Sequence, residues 1–219
     1  MGTVEIKTKV ILFDMDGTLV NTVACVEKYW RSMAAKYSLD EEQLLHNIHG
    51  HPTFDVFCKW FPPELHTREY TQQAEIDLMN DADGVFAVPG VPELLKQLDP
   101  KKWAIVTAAT YILAVTRLNQ VNLPIPEHLV SARDVQRGKP NPECYRLGAE
   151  KLGQAPADAV VFEDAVNGVK AGVAAGATVV GVLTSTTEEK LREAGAKYVI
   201  KDFSSVKVED KDSHLVISF

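Results

Sequence analysis

Short apolar runs alternate with longer segments of helical spacing over most of this chain. Residues 10–12 read Val-Ile-Leu and predict a buried strand, since a β-branched run this short fits a strand better than a helix. The same reasoning predicts further strands at residues 103–107, 129–132, 159–162, 178–183 and 198–200. Helical spacing separates them at residues 91–98, 112–121, 142–152, 166–175 and 187–194. This alternation is typical of an α/β fold in which helices cover a parallel sheet.

Between residues 21 and 88 the alternation stops. Residues 22–37 place apolar side chains at intervals of three and four, which predicts a helix with one apolar face. Two further helices are predicted at residues 54–61 and 64–80, and a short extended piece near residues 85–88. The segment therefore has the pattern of a helical insert.

These patterns predict two domains. We expect residues 1–20 and 89–219 to form the α/β core and residues 21–88 to form a small helical domain inserted after the first strand. The tail, residues 206–219, alternates weakly and predicts a terminal hairpin to which we assign no function.

Composition narrows the classes of function. The chain has 23 Lys plus Arg against 30 Asp plus Glu, a formal net charge of −7, which disfavours a nucleic-acid partner. No apolar run approaches the ~20 residues of a membrane-spanning helix, and the N-terminus does not resemble a signal peptide. Cys25, Cys58 and Cys144 lack metal-like spacing and are expected to be reduced core thiols. We therefore expect a cytoplasmic protein without a membrane partner.

Residues 13–18 read Phe-Asp-Met-Asp-Gly-Thr and place two carboxylates directly after the first core strand. Open α/β sheets bind ligands at the carboxyl ends of their strands. Because two crowded carboxylates resist ionising together, one of them tends to hold a proton. Asp14 and Asp16 thus offer a nucleophile and a general acid, the pairing that an aspartyl-phosphate intermediate requires. The alternative for a bare pair of this kind is a solvated polar turn.

Two further strand ends carry groups that phosphoryl transfer needs. Thr107 and Ala108 offer a hydroxyl and backbone N–H groups to an anion, although a threonine there also serves as a helix cap. Lys139 lies in the sequence Arg-Gly-Lys-Pro-Asn-Pro between a strand and a helix, where it can offer a fixed positive charge to Asp14. The alternative is a solvated lysine in a turn.

Glu163 and Asp164 end another predicted strand and face the same crevice as Asp14. Mg²⁺ prefers oxygen ligands and often takes one or two carboxylates together with a phosphate oxygen and water. Asp14, Asp164 and the backbone carbonyl of Asp16 would supply such a shell. The alternative is that the two acidic residues cap the following helix.

Together these motifs resemble the haloacid dehalogenase superfamily over residues 10 to about 200. They occur in the order of that family, each at a predicted strand end, as Asp14-x-Asp16-Gly17-Thr18, Thr107, Lys139 and Glu163-Asp164. The resemblance implies a Rossmann-like core, a small helical cap, a Mg²⁺ cofactor and an aspartyl-phosphate intermediate. Haloacid dehalogenases proper lack the second acid, so Asp16 indicates the phosphatase branch.

Four segments resemble more closely the small sugar- and polyol-phosphate phosphatases, which act on glycerol 3-phosphate and 2-deoxyglucose 6-phosphate. These segments are residues 48–53, 102–107, 134–140 and 161–165. The relatives tend to have His-Gly-x-Arg-Thr in the cap, whereas this chain has Pro52 at the place of the arginine. Since that arginine would grip the polar part of the substrate, the resemblance leaves the substrate open.

The resemblance also implies roles for individual residues. Asp14 would attack phosphorus, Asp16 would exchange protons, and Thr107 and Lys139 would hold the phosphate oxygens. Further phosphate and substrate contacts would come from the backbone N–H groups of Met15 and Ala108 and from the cap residues His49, Gly50, His51 and Thr53. Glu163 and Asn167 would support the site.

The sequence predicts a monomeric phosphatase for a small sugar or polyol phosphate. A phosphosugar mutase of the same fold is one alternative, but it needs a second phosphate pocket in the cap, against which Pro52 argues. A non-catalytic phosphometabolite sensor is the other, although such a protein would be expected to have lost Asp14, Asp16 or Lys139.

Overall fold

The computed structural model describes residues 3–49 and 51–219, and its centre is a parallel β-sheet. The strands are β1 Glu5–Thr8, β2 Val10–Phe13, β3 Val20–Asn21, β4 Phe86–Ala87, β5 Trp103–Val106, β6 Leu129–Val130, β7 Ala159–Glu163, β8 Thr178–Val182, β9 Tyr198–Ile200, β10 Lys207–Asp210 and β11 Leu215–Ser218. The α-helices are α1 Val23–Tyr37, α2 Glu41–Leu45, α3 Thr53–Trp60, α4 Arg68–Asn80, α5 Val91–Leu95, α6 Tyr111–Gln120, α7 Glu143–Lys151, α8 Val166–Ala175 and α9 Glu188–Glu193.

Six strands pair in parallel in the order β6-β5-β2-β7-β8-β9, which confirms the predicted α/β class. Successive side chains of β2 point to opposite faces: Val10 and Leu12 to one, Ile11 and Phe13 to the other. All four are buried, because helices cover both faces of a parallel sheet. The carboxyl ends of β5, β2 and β7 lie side by side.

Two layers cover the sheet. Helices α5 and α6 pack on one face together with an antiparallel sheet of order β1-β11-β10, and α7, α8 and α9 pack on the other. On the first face Phe13 stacks on Phe162 with ring centroids 5.4 Å apart, and Phe203 packs against both. Burial of these aromatic rings is a large part of the apolar area that holds the core together.

Helices α1 to α4 enclose an apolar cluster of their own. Trp30 packs against Phe57 and Phe61 with its ring centroid 5.3 and 5.7 Å from theirs, and Ala34, Leu44 and Ala74 are among the other members of this cluster. The chain leaves the core through β3 and returns through β4, and these two strands pair antiparallel. Both crossings therefore lie next to each other. The division into two domains at residues 21 and 88 stays a prediction.

Several elements differ from the sequence prediction. Strand β1 was not predicted; it pairs with β11 and thereby adds a third strand to the predicted terminal hairpin. Helix α2 was also missed. The helix predicted at residues 64–80 begins at Arg68, because the Thr67 hydroxyl caps it by accepting from the N–H of Tyr70 at 3.2 Å. The prediction of core thiols was wrong for Cys58, which is exposed.

None of the helices within residues 3–49 and 51–219 is long and apolar enough to cross a bilayer.

Candidate active site

The carboxyl ends of three neighbouring strands bring predicted site residues together. Asp14 directly follows β2, Thr107 follows β5 and Asp164 follows β7, and β2 pairs with both of the other strands. All three residues line one cavity of about 80 Å³. Parallel strands end at one edge of the sheet, so residues that are far apart in the chain meet there.

Lys139 reaches this site from the loop before α7 and bridges two acidic residues. Its Nζ lies 2.5 Å from Asp14 Oδ1 and 2.6 Å from Glu163 Oε1, and it also donates to the carbonyl of Val106 at 3.2 Å. Burial alone would lower the pKa of this lysine, but the carboxylates of Asp14 and Glu163 outweigh burial and raise it. The ammonium group is therefore charged at neutral pH and held in one place.

Glu163 is fully buried, and both of its carboxylate oxygens are engaged. Besides the bond from Lys139, Oε1 accepts from the Tyr145 hydroxyl at 3.0 Å, and Oε2 accepts from the N–H of Ala165 at 2.9 Å. Gly168 leaves room for this carboxylate, since a Cβ at that position would overlap it. These contacts orient Glu163 so that it holds Lys139 toward Asp14.

Asp14, Glu163 and Asp164 form a buried carboxylate cluster, with one oxygen of each within 4.8 Å of the others. Burial raises the pKa of Asp14, which Lys139 opposes and the two acidic neighbours reinforce. Burial and the nearby Glu163 also raise the pKa of Asp164, to about 7. Within the described part of the chain, Lys139 is the one cation in contact with this cluster, which is therefore rich in negative charge.

An oxygen-rich site with excess negative charge fits Mg²⁺, which binds carboxylates and water in preference to nitrogen or sulfur ligands. Because both oxygens of Glu163 are already engaged, the carboxylates left to hold a cation are those of Asp14 and Asp164. The side chain of Asp16 does not belong to the cluster. A contribution from Asp16 would thus come through its backbone carbonyl.

Two residues of the loop after β2 shape the position of Asp164. The Thr18 hydroxyl donates to Asp164 Oδ1 at 3.1 Å. Gly17 has a φ of +86°, and a Cβ there would overlap the Asp164 carboxylate. Glycine is therefore required at position 17 both by the backbone conformation and by the close approach of Asp164.

Asp16 also lines the cavity, but its carboxylate has different partners. Its Oδ1 accepts from the Thr22 hydroxyl at 2.9 Å. Burial raises the pKa of Asp16, although the bond from Thr22 and the charge of Arg117 oppose the shift. The raised pKa favours the protonated carboxyl group, the form that can donate a proton.

Backbone donors at the strand ends are left available. Among the residues that the structure describes, no oxygen accepts a hydrogen bond from the N–H of Met15 or Ala108. The Met15 side chain is buried in the apolar core, so Met15 can offer a ligand only its backbone N–H. The Thr107 hydroxyl accepts from the N–H of Ala109 at 3.0 Å, which fixes its direction.

The helical segment forms the opposite wall of the cavity. His49, His51 and Thr53 line it, and their contact with a ligand stays a prediction; Gly50, predicted with them, lies outside the described residues. Burial lowers the pKa of His51, whose Nε2 lies 2.8 Å from Asn167 Nδ2 in the core. A neutral imidazole accepts that bond, so this pair joins the helical segment to α8.

Pro52 does not line the cavity. Its ring instead lies against the loop that carries Lys139, since a Cβ on Gly138 would be 3.1 Å from Pro52 Cγ.

Sequence reasoning missed residues whose place depends on packing. Arg117 and Trp30 line the cavity, and Tyr145 contacts Glu163. A signal for Arg117 was present: it occurs at helical spacing between the buried Leu113 and Leu118, so it lies on the apolar face of its helix. Tyr145 gives no comparable signal, because a tyrosine on a buried helix face is ordinary.

Comparisons with a family model, with curated proteins and with solved structures all indicate a hydrolase. A family model described as haloacid dehalogenase-like hydrolase matches residues 8–176. Hexitol phosphatase A of Escherichia coli is 37% identical over 192 residues, which cover 85% of this chain and 88% of that protein. Glycerol-1-phosphate phosphohydrolase 1 of Saccharomyces cerevisiae is 33% identical over 216 residues, which cover 93% of this chain and 86% of that protein. Among solved structures, a hydrolase from Pseudomonas syringae matches with a TM-score of 0.78 at 25% identity, covering 90% and 94%.

Proposed function

The chain belongs to the haloacid dehalogenase-like hydrolases and is a phosphoric monoester hydrolase, and we propose that its substrates are small sugar or polyol phosphates. The observation that carries the proposal is the pairing of Lys139 with Asp14 inside a buried carboxylate cluster at the cavity. Relatives named for glycerol phosphate and hexitol phosphate support the substrate class.

The first step is transfer of the phosphoryl group to the protein. A carboxylate oxygen of Asp14 forms a bond to phosphorus while the bond from phosphorus to the leaving oxygen breaks. Protonated Asp16 gives its proton to that oxygen, so the substrate leaves as an alcohol. Lys139, Thr107 and the N–H groups of Met15 and Ala108 stabilise the charge on the remaining phosphate oxygens.

The second step returns the protein to its starting state. Asp16, now a carboxylate, takes a proton from a water molecule whose oxygen attacks phosphorus. The bond from phosphorus to the Asp14 oxygen breaks, which releases inorganic phosphate and restores the Asp14 carboxylate. Asp16 thus acts as acid and then as base, and burial raises its pKa, which favours the protonated form that begins the reaction.

Mg²⁺ is the cofactor of the proposed reaction. Held by Asp14, Asp164 and the Asp16 carbonyl, it would offset the negative charge that a phosphate dianion brings to the carboxylates. Without a cation, each added pair of like charges about 5 Å apart would cost about 3 kcal/mol at an effective dielectric of about 20.

Phosphate release from a substrate panel tests the proposal. The purified chain is assayed with glycerol 3-phosphate, sorbitol 6-phosphate and 2-deoxyglucose 6-phosphate, each with Mg²⁺, with a chelator, and with a chelator already saturated by Mg²⁺. We expect phosphate release in the first and third conditions only. An isomerised sugar phosphate without free phosphate would indicate a mutase, and turnover that survives the chelator would contradict the role of Mg²⁺.

A further inference from the structure

A buried arginine in the cavity wall has no place in the mechanism above. Arg117 on α6 is 1% exposed, and it lines the same cavity as Asp14 and Asp16. It belongs to α6, and the same cavity is also lined by His51 and Thr53 of the helical segment. A charge this deeply buried is costly unless a ligand or another residue compensates it.

The contacts of Arg117 within the protein satisfy only part of its guanidinium group. Nη1 donates to the carbonyl of Asp81 and to Gln120 Oε1, both at 2.9 Å, and Nη2 donates to Cys25 Sγ at 3.2 Å. All three acceptors are neutral, and no carboxylate among residues 3–49 and 51–219 lies within 4.0 Å of the group. Nε–H and one Nη2–H have no acceptor in that part of the chain.

We propose that Arg117 is a specificity-determining residue that donates hydrogen bonds to hydroxyl oxygens of the leaving group of the substrate. The inference rests on the proposed function and adds the residue that recognises the part of the substrate beyond phosphate. Hydroxyl oxygens fit better than a second anionic group, because the carboxylates of Asp14 and Asp164 line the same cavity and would repel it. A planar guanidinium with two unused donors suits neighbouring hydroxyls.

A purely structural role is the competing explanation. Arg117 connects α6 to the end of the helical segment through Asp81, and Gln120 does the same through the carbonyl of Met79 at 2.9 Å. An uncharged residue such as Gln120 is sufficient for that connection. The connection between α6 and the helical segment therefore does not explain the positive charge of the Arg117 side chain, whereas a ligand in the cavity does.

The test compares each substrate with its deoxy analogue: glycerol 3-phosphate with propyl phosphate, and sorbitol 6-phosphate with hexyl phosphate. Arg117→Met should lower kcat/KM for the hydroxylated member by about 10- to 100-fold, mainly through KM, because a hydrogen bond to a charged group is lost. The deoxy member should change by less than about 3-fold. Arg117→Lys should give an intermediate loss.

Gln120→Met is the matched control, because it removes the connection to Met79 and one acceptor of Arg117 but keeps the guanidinium. It should lower Tm without changing the preference for hydroxylated substrates. An equal loss on both members of a pair, no loss in Arg117→Met, or the same change of preference in Gln120→Met would overturn the inference. Absence of phosphate release by the unmodified chain from all four compounds would instead refute the proposed function.

Discussion

The two walls of the cavity, one from the α/β core and one from the helical segment, differ in the charge and polarity of their side chains. On the core wall, Asp14 lines the cavity and is held by the buried Lys139, which is held in turn by the buried Glu163. The wall from the helical segment is built from side chains such as Val26, Trp30 and Val56, interspersed with His49, His51 and Thr53. Charge and fixed geometry therefore belong to the core, whereas shape and apolar contact belong to the helices.

This difference indicates how each wall tolerates change. Apolar clusters accept substitutions of similar volume at a cost of less than about 1.5 kcal/mol, since neighbouring side chains repack. A buried charge network does not, because removing one partner leaves another charge unpaired, at about 3–5 kcal/mol. We expect substitutions in the network of Asp14, Lys139 and Glu163 to abolish the reaction and substitutions on the helical wall to alter which substrate is accepted.

The largest effect is expected for Asp14→Asn. The amide is not a nucleophile, so kcat for phosphate release should fall by at least about 10³-fold. The fold should remain, since Lys139 keeps its bond to Glu163. Asp83→Asn, on the exposed surface, is the control and should keep full activity. Turnover above that limit in Asp14→Asn would break the assignment of chemistry to the core wall.

A smaller but still severe loss of activity is expected for Gly17→Ala, because the new Cβ would displace the Asp164 carboxylate. Misplacement of a site group by about 1 Å lowers activity by about 100-fold. Gly176→Ala separates this effect from backbone strain, since Gly176 has a similar φ of +95° but open space around its Cβ position. The control should cost only about 1 kcal/mol of stability and no activity. Equal kinetics in the two variants would contradict the prediction.

Removal of Mg²⁺ should affect stability in a pH-dependent way. The pKa of Asp164 is raised to about 7 in the folded protein from an ordinary 3.8. The folded state therefore binds a proton on Asp164 more tightly than the unfolded state does. This tighter binding contributes stability to the folded protein that is present below about pH 4 and is lost as pH rises toward 7. Because Mg²⁺ binds the ionised carboxylate, it should raise Tm more at pH 8 than at pH 5. A Mg²⁺ concentration of 100 times Kd would add about 2.7 kcal/mol to the free energy of unfolding.

Asp164→Asn is the control for the metal, and thermal unfolding with and without Mg²⁺ at both pH values is the measurement. The variant should lose most of the increase in Tm and its dependence on pH. An increase that is larger at pH 5, or one that survives in Asp164→Asn, would mean that the cation binds elsewhere.

The smallest effect is expected on the helical wall, for His51→Ala. Loss of its contact with Asn167 and of one cavity side chain should change KM by less than about 10-fold and leave kcat nearly constant. His46→Ala, an exposed change on the same segment, should alter neither. A fall in kcat comparable to that of Asp14→Asn would show that the helical wall takes part in the chemistry.

The sequence predicted the core better than the details of the cavity. The order of strands and helices from residue 89 onward followed from local apolar patterns, and the strand ends at Asp14, Thr107 and Asp164 followed from that order. Strand β1 escaped prediction because its partner β11 lies at the opposite end of the chain. Cys58 was misplaced because helical spacing does not say which face another element covers.

By itself, the sequence determined the α/β class and the presence of acidic, hydroxyl and basic residues at successive strand ends. Periodicity and turn residues act between neighbours in the chain, so they can be read without a structure. Only the tertiary structure decided that Glu163 holds Lys139, that Tyr145 donates to Glu163, and that Arg117 turns toward the cavity. Those relations depend on burial and on the directions of side chains from separate elements, and packing alone fixes them.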